Sequence, residues 1–427
     1  MAQKKYKPSY WEKRSIDAEK RVNDGAKALE KKVASAYRQA QSYLTKQARK
    51  MFARSQQRTG LSEEEAKRLL NETVQPEELV ELKSLSKQIK NPLLQKEAKQ
   101  KLNGLAFKER ITRVEDLKAK SFFVSKQVAN VQLDKSTDFY IDTIHDSYNE
   151  ATSEAIIRQM EHSNPNSIIE VWNKKEYESS LESELPKHEF KELSTRYTKN
   201  ILDSHWKGSN YSERIWGDTE ALAKRLEELF TVESMTGMSE FEMAKEIASE
   251  FDRSIGVARR LIRTEANYMA NQAKLKAWQD RGVEQYILIA VLDLRTSKIC
   301  QGKDHKIYLV SEAIVNGKEG TYPPFHPWCR TIAVAYFGER TLSGTRTAND
   351  PISGKTILID QRDSYNDWMD KLKEMYSTEE INRQKQKLKN KNYDDQVKKI
   401  KSRAKKDVSS RFNAVRKAGD AKGSKIP

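Results

Sequence analysis

Cys300, His305, His326 and Cys329 form a C-x4-H…H-x2-C set, four nitrogen and sulfur donors of the kind zinc takes tetrahedrally. The second pair stands in YPPFHPWCRT, where Pro323, Pro324 and Pro327 fix the backbone directions around His326 and Cys329. A metal there would add folding energy to a small sheet with little core. The spacing leaves two other readings open, paired cysteines and buried thiols beside hydrogen-bonded histidines. A second group of polar residues precedes and follows the first donor. LIRTEANYMANQA sets Arg263, Thr264, Glu265 and Asn267 within one and a half helical turns, and LDLRTSKIC sets Asp293, Arg295 and Thr296 at a strand end, with Asp304 just beyond. Glu265, Asp293, Arg263 and Arg295 could do acid–base chemistry. A buried ion-pair network holding helix to sheet is the favoured reading, because buried charges must be paired.

The elements that position these residues are mainly helical. From Trp11 to Phe52, apolar and small residues (Val22, Ala26, Leu29, Val33, Ala36, Ala40, Leu44, Ala48, Met51) recur at steps of three and four, which predicts a long amphipathic helix. It either lies on its own domain or joins subunits. Ser62 with Glu65 and Ser239 with Glu242 are capping boxes, Pro92 suits a first helical turn, and Ser121 to Met160 reads as one or two long helices. Residues 162–186, with His162, Pro165 and Pro186, read as connecting loops. After Gly282 the period changes. Tyr286 to Leu292, Ile307 to Val310 and Thr331 to Phe337 are strand candidates for a small sheet packed on the helix around Val257 to Asp280. Polar loop is expected from Gly338, then a helix over Asp363 to Tyr376 and a basic helical tail.

The expected organisation is a basic arm at 1–60, a helical region at 61–212, a small α+β domain at 213–340 with its sheet at about 284–337, and a basic helical extension at 341–427. Net charge is +16, and each end carries a surplus of 11 positive charges, over residues 1–60 and 371–427, leaving −6 between them. Two basic ends on a mildly acidic body suit contact with a polyanion, most simply DNA, by the ends, and with protein by the body. Solvated Lys-rich helices are the plainer alternative. No stretch reaches the roughly 18–20 apolar residues of a membrane span, and the start has no apolar core of a secretory signal. Synthesis in a cytoplasm is expected, and two cysteines in 427 residues accord with reduced thiols.

The run from RTEANYMANQA through LDLRTSKIC to PPFHPWCR resembles the head-morphogenesis domain of Mu F-like phage minor head proteins. The N-terminal YWEKR and the NYSERIW around Trp216 look like minor head proteins of Gram-positive phages. The resemblance makes Arg263, Thr264, Glu265, Asp293, Arg295, Thr296, Asp304, Pro324, His326, Cys329 and Arg330 the signature of a structural, non-catalytic domain. Where that family reads Asp-Gly, this chain has Asp304 and His305, so the pattern does not support His305 as a ligand, and Asp304 is the alternative fourth donor.

The resemblance implies a minor capsid protein at the portal or inner capsid face of a tailed phage. Its implied partners are the portal protein, a major capsid or scaffolding protein, and packaged DNA reached through the basic ends, with no membrane. It would assist assembly, packaging or ejection. The rival class is a metal-dependent nuclease or toxin carried on such a domain. The segment after the domain has no His/Cys or paired-carboxylate cluster of its own, which disfavours the rival. A DNA-binding module acting outside particles is disfavoured by the lack of a helix-turn-helix, finger or aromatic platform.

Overall fold

The structure is a computed structural model that describes residues 10–55, 60–108, 110–163, 192–342 and 344–388. It divides into two units: residues 1–289 with 306–341, and residues 290–305 with 342–427. As the sequence implies, the fold is mainly α.

The first unit is built on three long helices: α1 (Tyr10–Phe52), α5 (Arg113–Ser163) and α9 (Glu240–Asp280). Its shorter helices are α2 (Glu63–Asn71), α3 (Pro76–Lys87), α4 (Pro92–Ala106), α6 (Thr195–Leu202), α7 (Tyr211–Leu229) and α8 (Val232–Met235). The three-and-four spacing of α1 places Ala26, Leu29, Val33, Tyr37, Ala40, Leu44 and Ala48 on one face. That face is buried with Val124 and Val128 of α5, Leu222 and Leu226 of α7, and Ile247, Phe251 and Ile255 of α9. The basic N-terminal helix thus lies on its own domain. Ser121 to Met160 is one helix, enclosed by α1, α3, α7 and α9, so it buries polar as well as apolar residues. Its Lys120 is 1% exposed and sits 2.9 Å from Asp116, 3.2 Å from Glu81 of α3 and 3.2 Å from Gln47 of α1. Burial pushes the Asp116 carboxyl up to about 6 even beside that ammonium.

Capping marks the helix starts as expected. Ser239 and Glu242 cap α9 reciprocally, Ser62 accepts the Glu65 N–H to start α2, and Pro92 opens α4. The sheet of this unit has the order β2-β1-β3, all antiparallel, with β1 (Gln285–Ile289), β2 (Ile307–Leu309) and β3 (Ile332–Tyr336). Tyr286 of β1 faces the helix, stacking on Trp278 at 6.2 Å with Tyr322 edge-on at 5.1 Å. No helix of the described residues is long and apolar enough to cross a membrane.

The second unit contains α10 (Lys298–Lys303), a hairpin of β4 (Thr345–Asn349) and β5 (Thr356–Asp360), and α11 (Tyr365–Met375). Its core gathers Leu292, Ala348, Ile359, Tyr365, Trp368, Leu372 and Ile381. The hairpin replaces the polar loop expected after Gly338. Thr-rich β4 alternates weakly, but Ala348 and Ile359 turn inward, and the turn closes on Asp350, whose Oδ1 accepts the N–H groups of Ile352 and Ser353. Gly354, at φ +70°, completes that turn. Most of the expected basic tail, from residue 389, lies outside the described residues, as do the loops expected at 162–186 apart from residues 162 and 163, which end α5.

Candidate functional site

Three successive residues of α9 point to three different neighbours. Arg263 Nε pairs with Glu30, and its Nη1 donates to Asn23 Oδ1 at 3.2 Å, which ties α9 to α1. Thr264 Oγ1 donates to the Arg260 carbonyl at 2.7 Å and accepts the Trp328 N–H at 3.3 Å, which ties α9 to the Pro-rich loop. Glu265 is 1% exposed; its Oε2 accepts the indole N–H of Trp206 at 3.1 Å, and its Oε1 pairs with Arg214 of α7.

Around that carboxylate the side chains form layers. The Arg214 guanidinium lies 4.7 Å over the Trp206 ring and also donates to the Trp206 carbonyl, while Trp206 stacks on Tyr268, one turn along α9, at 5.2 Å and 14°. Tyr268 in turn donates to Ser204 Oγ at 2.6 Å. Burial holds the Glu265 carboxyl above the usual carboxylate range, with Arg214 and the Trp206 N–H pulling the other way. Such an arrangement fixes the Ser204–Trp206 turn and the start of α7 against α9.

The Pro-rich loop sits on the same helix. Tyr322 donates to the Asn271 carbonyl at 2.9 Å; Pro323–Pro324 is cis, and Phe325 is buried. The Cys329 N–H donates to the His326 carbonyl at 3.1 Å, so a tight turn brings His326 and Cys329 close along the chain. Its tip is Trp328, left-handed at φ +64° and 47% exposed. Cys329 and Pro324 are buried, and Arg330 is partly buried.

The remaining signature residues belong to the second unit. Asp293 Oδ1 accepts the Arg295 N–H at 2.9 Å and the Thr296 hydroxyl at 3.0 Å, closing the turn that leads into α10, where buried Cys300 sits. Asp304 has a fully buried side chain that accepts the Ala290 N–H at 2.7 Å, the Tyr365 N–H at 2.7 Å and both terminal nitrogens of Arg346 at 3.1 and 3.3 Å. Its lone pairs are thus committed to holding a strand end, a hairpin and α11 together. His305 Nε2 lies 2.9 Å from Arg346 Nη1 and accepts its hydrogen bond; burial holds the imidazole below its usual range, with Asp304 and Asp367 opposing. The zinc donors named from sequence divide accordingly, His326 and Cys329 in the first unit and Cys300, Asp304 and His305 in the second.

Arg263, Glu265, Asp293 and Arg295, the four residues expected to form an ion-pair network, each have a charged partner within their own unit. Arg263 and Glu265 each find a partner on another helix, and Arg295, 65% exposed, pairs with Asp293 in its own turn. A buried carboxylate needs a cation beside it, and for Glu265 that is Arg214 of α7. Three residues central to these contacts, Trp206, Arg214 and Arg346, were not singled out in the sequence. Arg214 lies inside NYSERIW, but its spacing gives no sign of a buried acid fifty residues on.

A family model, Phage Mu protein F like protein, matches residues 224–334. The matched stretch runs from α7 to β3 and takes in Arg263 to Arg330; it stops short of Trp206, Arg214 and the β4–β5 hairpin. No curated protein and no solved structure matches the chain.

Proposed function

We propose, from the match of residues 224–334 to the phage Mu protein F like family model, that the chain is a minor head protein built into a tailed-phage particle, at the portal or the inner capsid face. Its part there is structural. The observation that carries the reading is the use made of the signature residues inside the matched segment: Arg263, Thr264, Glu265, Asp293 and Asp304 all bind other groups of this protein, as members of a brace do. A hydrolytic site would instead aim a carboxylate or imidazole at a place a substrate can enter.

DNA is the second proposed partner. The solvent face of α1 exposes Lys20, Lys27, Lys31, Lys32, Arg38, Lys46 and Lys50, while its apolar face is consumed by the core. That stripe supports contact with phosphates without base reading, so binding should weaken steeply as salt rises. Portal protein is proposed to meet the less basic body of the chain.

Co-expression with the portal protein of the same phage tests the structural role. The account expects the two to co-sediment, and it expects no chelator-sensitive cleavage of duplex DNA by the purified chain. Metal-dependent cleavage that stops with chelator would favour the nuclease reading and overturn this one.

A further inference from the structure

The α3–α4 hairpin, outside the family-matched segment, has an outer surface that the assembly reading does not use. Its inner faces are well anchored. Leu82, Leu85 and Ile89 of the first helix and its loop, and Leu94, Ala98 and Leu105 of the second, are buried as both helices pack on α5. The connecting turn is pinned as well, since Asn130 Oδ1 accepts the N–H groups of Lys90 and Asn91 at 3.1 and 2.7 Å, and Gln127 donates to the Leu85 carbonyl at 2.9 Å.

The outer faces combine exposed apolar side chains with exposed lysines. Val80 is 64% exposed, Leu93 57% and Phe107 89%. Val80 shares a face with Lys83 and Lys87, at steps of three and four; Leu93 shares one with Lys96, Gln100, Asn103 and Phe107 by the same spacing. Lys83, Lys87, Lys90, Lys96 and Lys99 are all exposed. The acids Glu78, Glu81 and Glu97 do not offset them, because each reaches inward to a buried cation of α5: Arg113, Lys120 and Lys126. Among the described side chains, the outward face of this hairpin is therefore apolar and positive.

We propose that this hairpin is a docking surface for an acidic amphipathic helix of another protein. Charge complementarity selects an acidic occupant, and the three large apolar side chains select a protein helix over a nucleic acid, whose phosphates would match the lysines and leave Val80, Leu93 and Phe107 in water. The anchored turn keeps the two faces preformed, so little ordering is needed on binding.

Fluorescence anisotropy of the full-length chain with a labelled helical peptide tests this. The peptide carries Leu at i, i+3, i+4 and i+7 with Glu flanking them; a twin with Lys in place of Glu and a duplex DNA serve as comparison probes. The acidic peptide should bind saturably and the basic twin should not. The combined Val80→Ser, Leu93→Ser and Phe107→Ser variant should bind about tenfold more weakly or worse, and Lys96→Glu with Lys99→Glu should weaken binding independently. These are surface positions, so the thermal midpoint should not move, and circular dichroism confirms that each variant is folded. No saturable binding of the acidic peptide, or binding that survives both sets of changes, overturns the proposal. So does displacement of the peptide by duplex DNA at this face, or a patch-dependent dimer of the wild-type chain in sedimentation, which would make a second copy the occupant. None of these outcomes bears on particle assembly, so failure here leaves the head-protein reading standing.

Discussion

Replacing Arg214 by Ala should do more damage than its 21% side-chain exposure suggests, because it strands Glu265, which is 1% exposed. Breaking a buried pair by removing one partner costs about 3–5 kcal/mol, since the remaining charge keeps its desolvation penalty. The loss of the cation stack on Trp206 adds about 0.5–1 kcal/mol. Glu265 is already held above the usual carboxylate range by burial, and without Arg214 it rises further. A carboxyl whose folded pKa is raised favours folding at low pH and loses that contribution as pH rises through the folded value, because the folded state then binds the extra proton. The deficit of Arg214→Ala should therefore be largest near pH 8 and shrink toward pH 5, and Arg214→Ala with Glu265→Gln should recover much of it. Urea unfolding followed by far-ultraviolet circular dichroism at both pH values reads this directly. A variant within about 0.5 kcal/mol of the wild type, or a deficit independent of pH, would refute the claim that a buried Glu265–Arg214 pair holds α7 to α9.

Three further outcomes are expected. Asp304→Asn leaves Arg346, 6% exposed, without its counter-charge, so amide exchange in β4 and β5 should accelerate about a hundredfold for a loss near 3 kcal/mol; unchanged exchange there would rule out Asp304 as the keystone of the second unit. His305 has a folded pKa below its unfolded value, so its contribution is fully present above the unfolded value near 6.5 and is lost as pH falls below it toward the folded pKa; protonation also sets it against Arg346. His305→Gln should flatten that acid-side loss in thermal melts, and an identical pH profile would count against it. If the cysteines and histidines named from sequence hold zinc, protein grown with added zinc should carry the metal stoichiometrically and lose it on His326→Ala or Cys329→Ala. Metal-free protein by elemental analysis would end that proposal.

The elements with strong periodicity were readable from the residues alone. The three-and-four repeat of α1, the Ser239–Glu242 capping box, the Ser62 N-cap and the first half of the YILIAVL run, which becomes β1 and stops at Ile289 instead of Leu292, each follow from one local rule. Partnership was not readable. Arg263, Thr264 and Glu265 were identified as a group, but nothing local says that Glu30, Trp328 and Arg214 would meet them, because those pairings are set by how the helices cross. The β4–β5 hairpin escaped because β4 is Thr, Arg and Asn with a single buried apolar residue, Ala348, and part of what holds it is Arg346 reaching buried Asp304, a pairing no local pattern announces. The exposure of Val80, Leu93 and Phe107 is not readable from the residues alone, since it is decided by which face α5 takes.

The decisive measurement of the proposed structural role is quantitative mass spectrometry of procapsids and mature particles purified from a host producing this chain. The account predicts that the chain is present in both at a few copies per portal and fractionates with the head. Its absence from both, with the protein found only free in the lysate, would contradict a structural role in the particle.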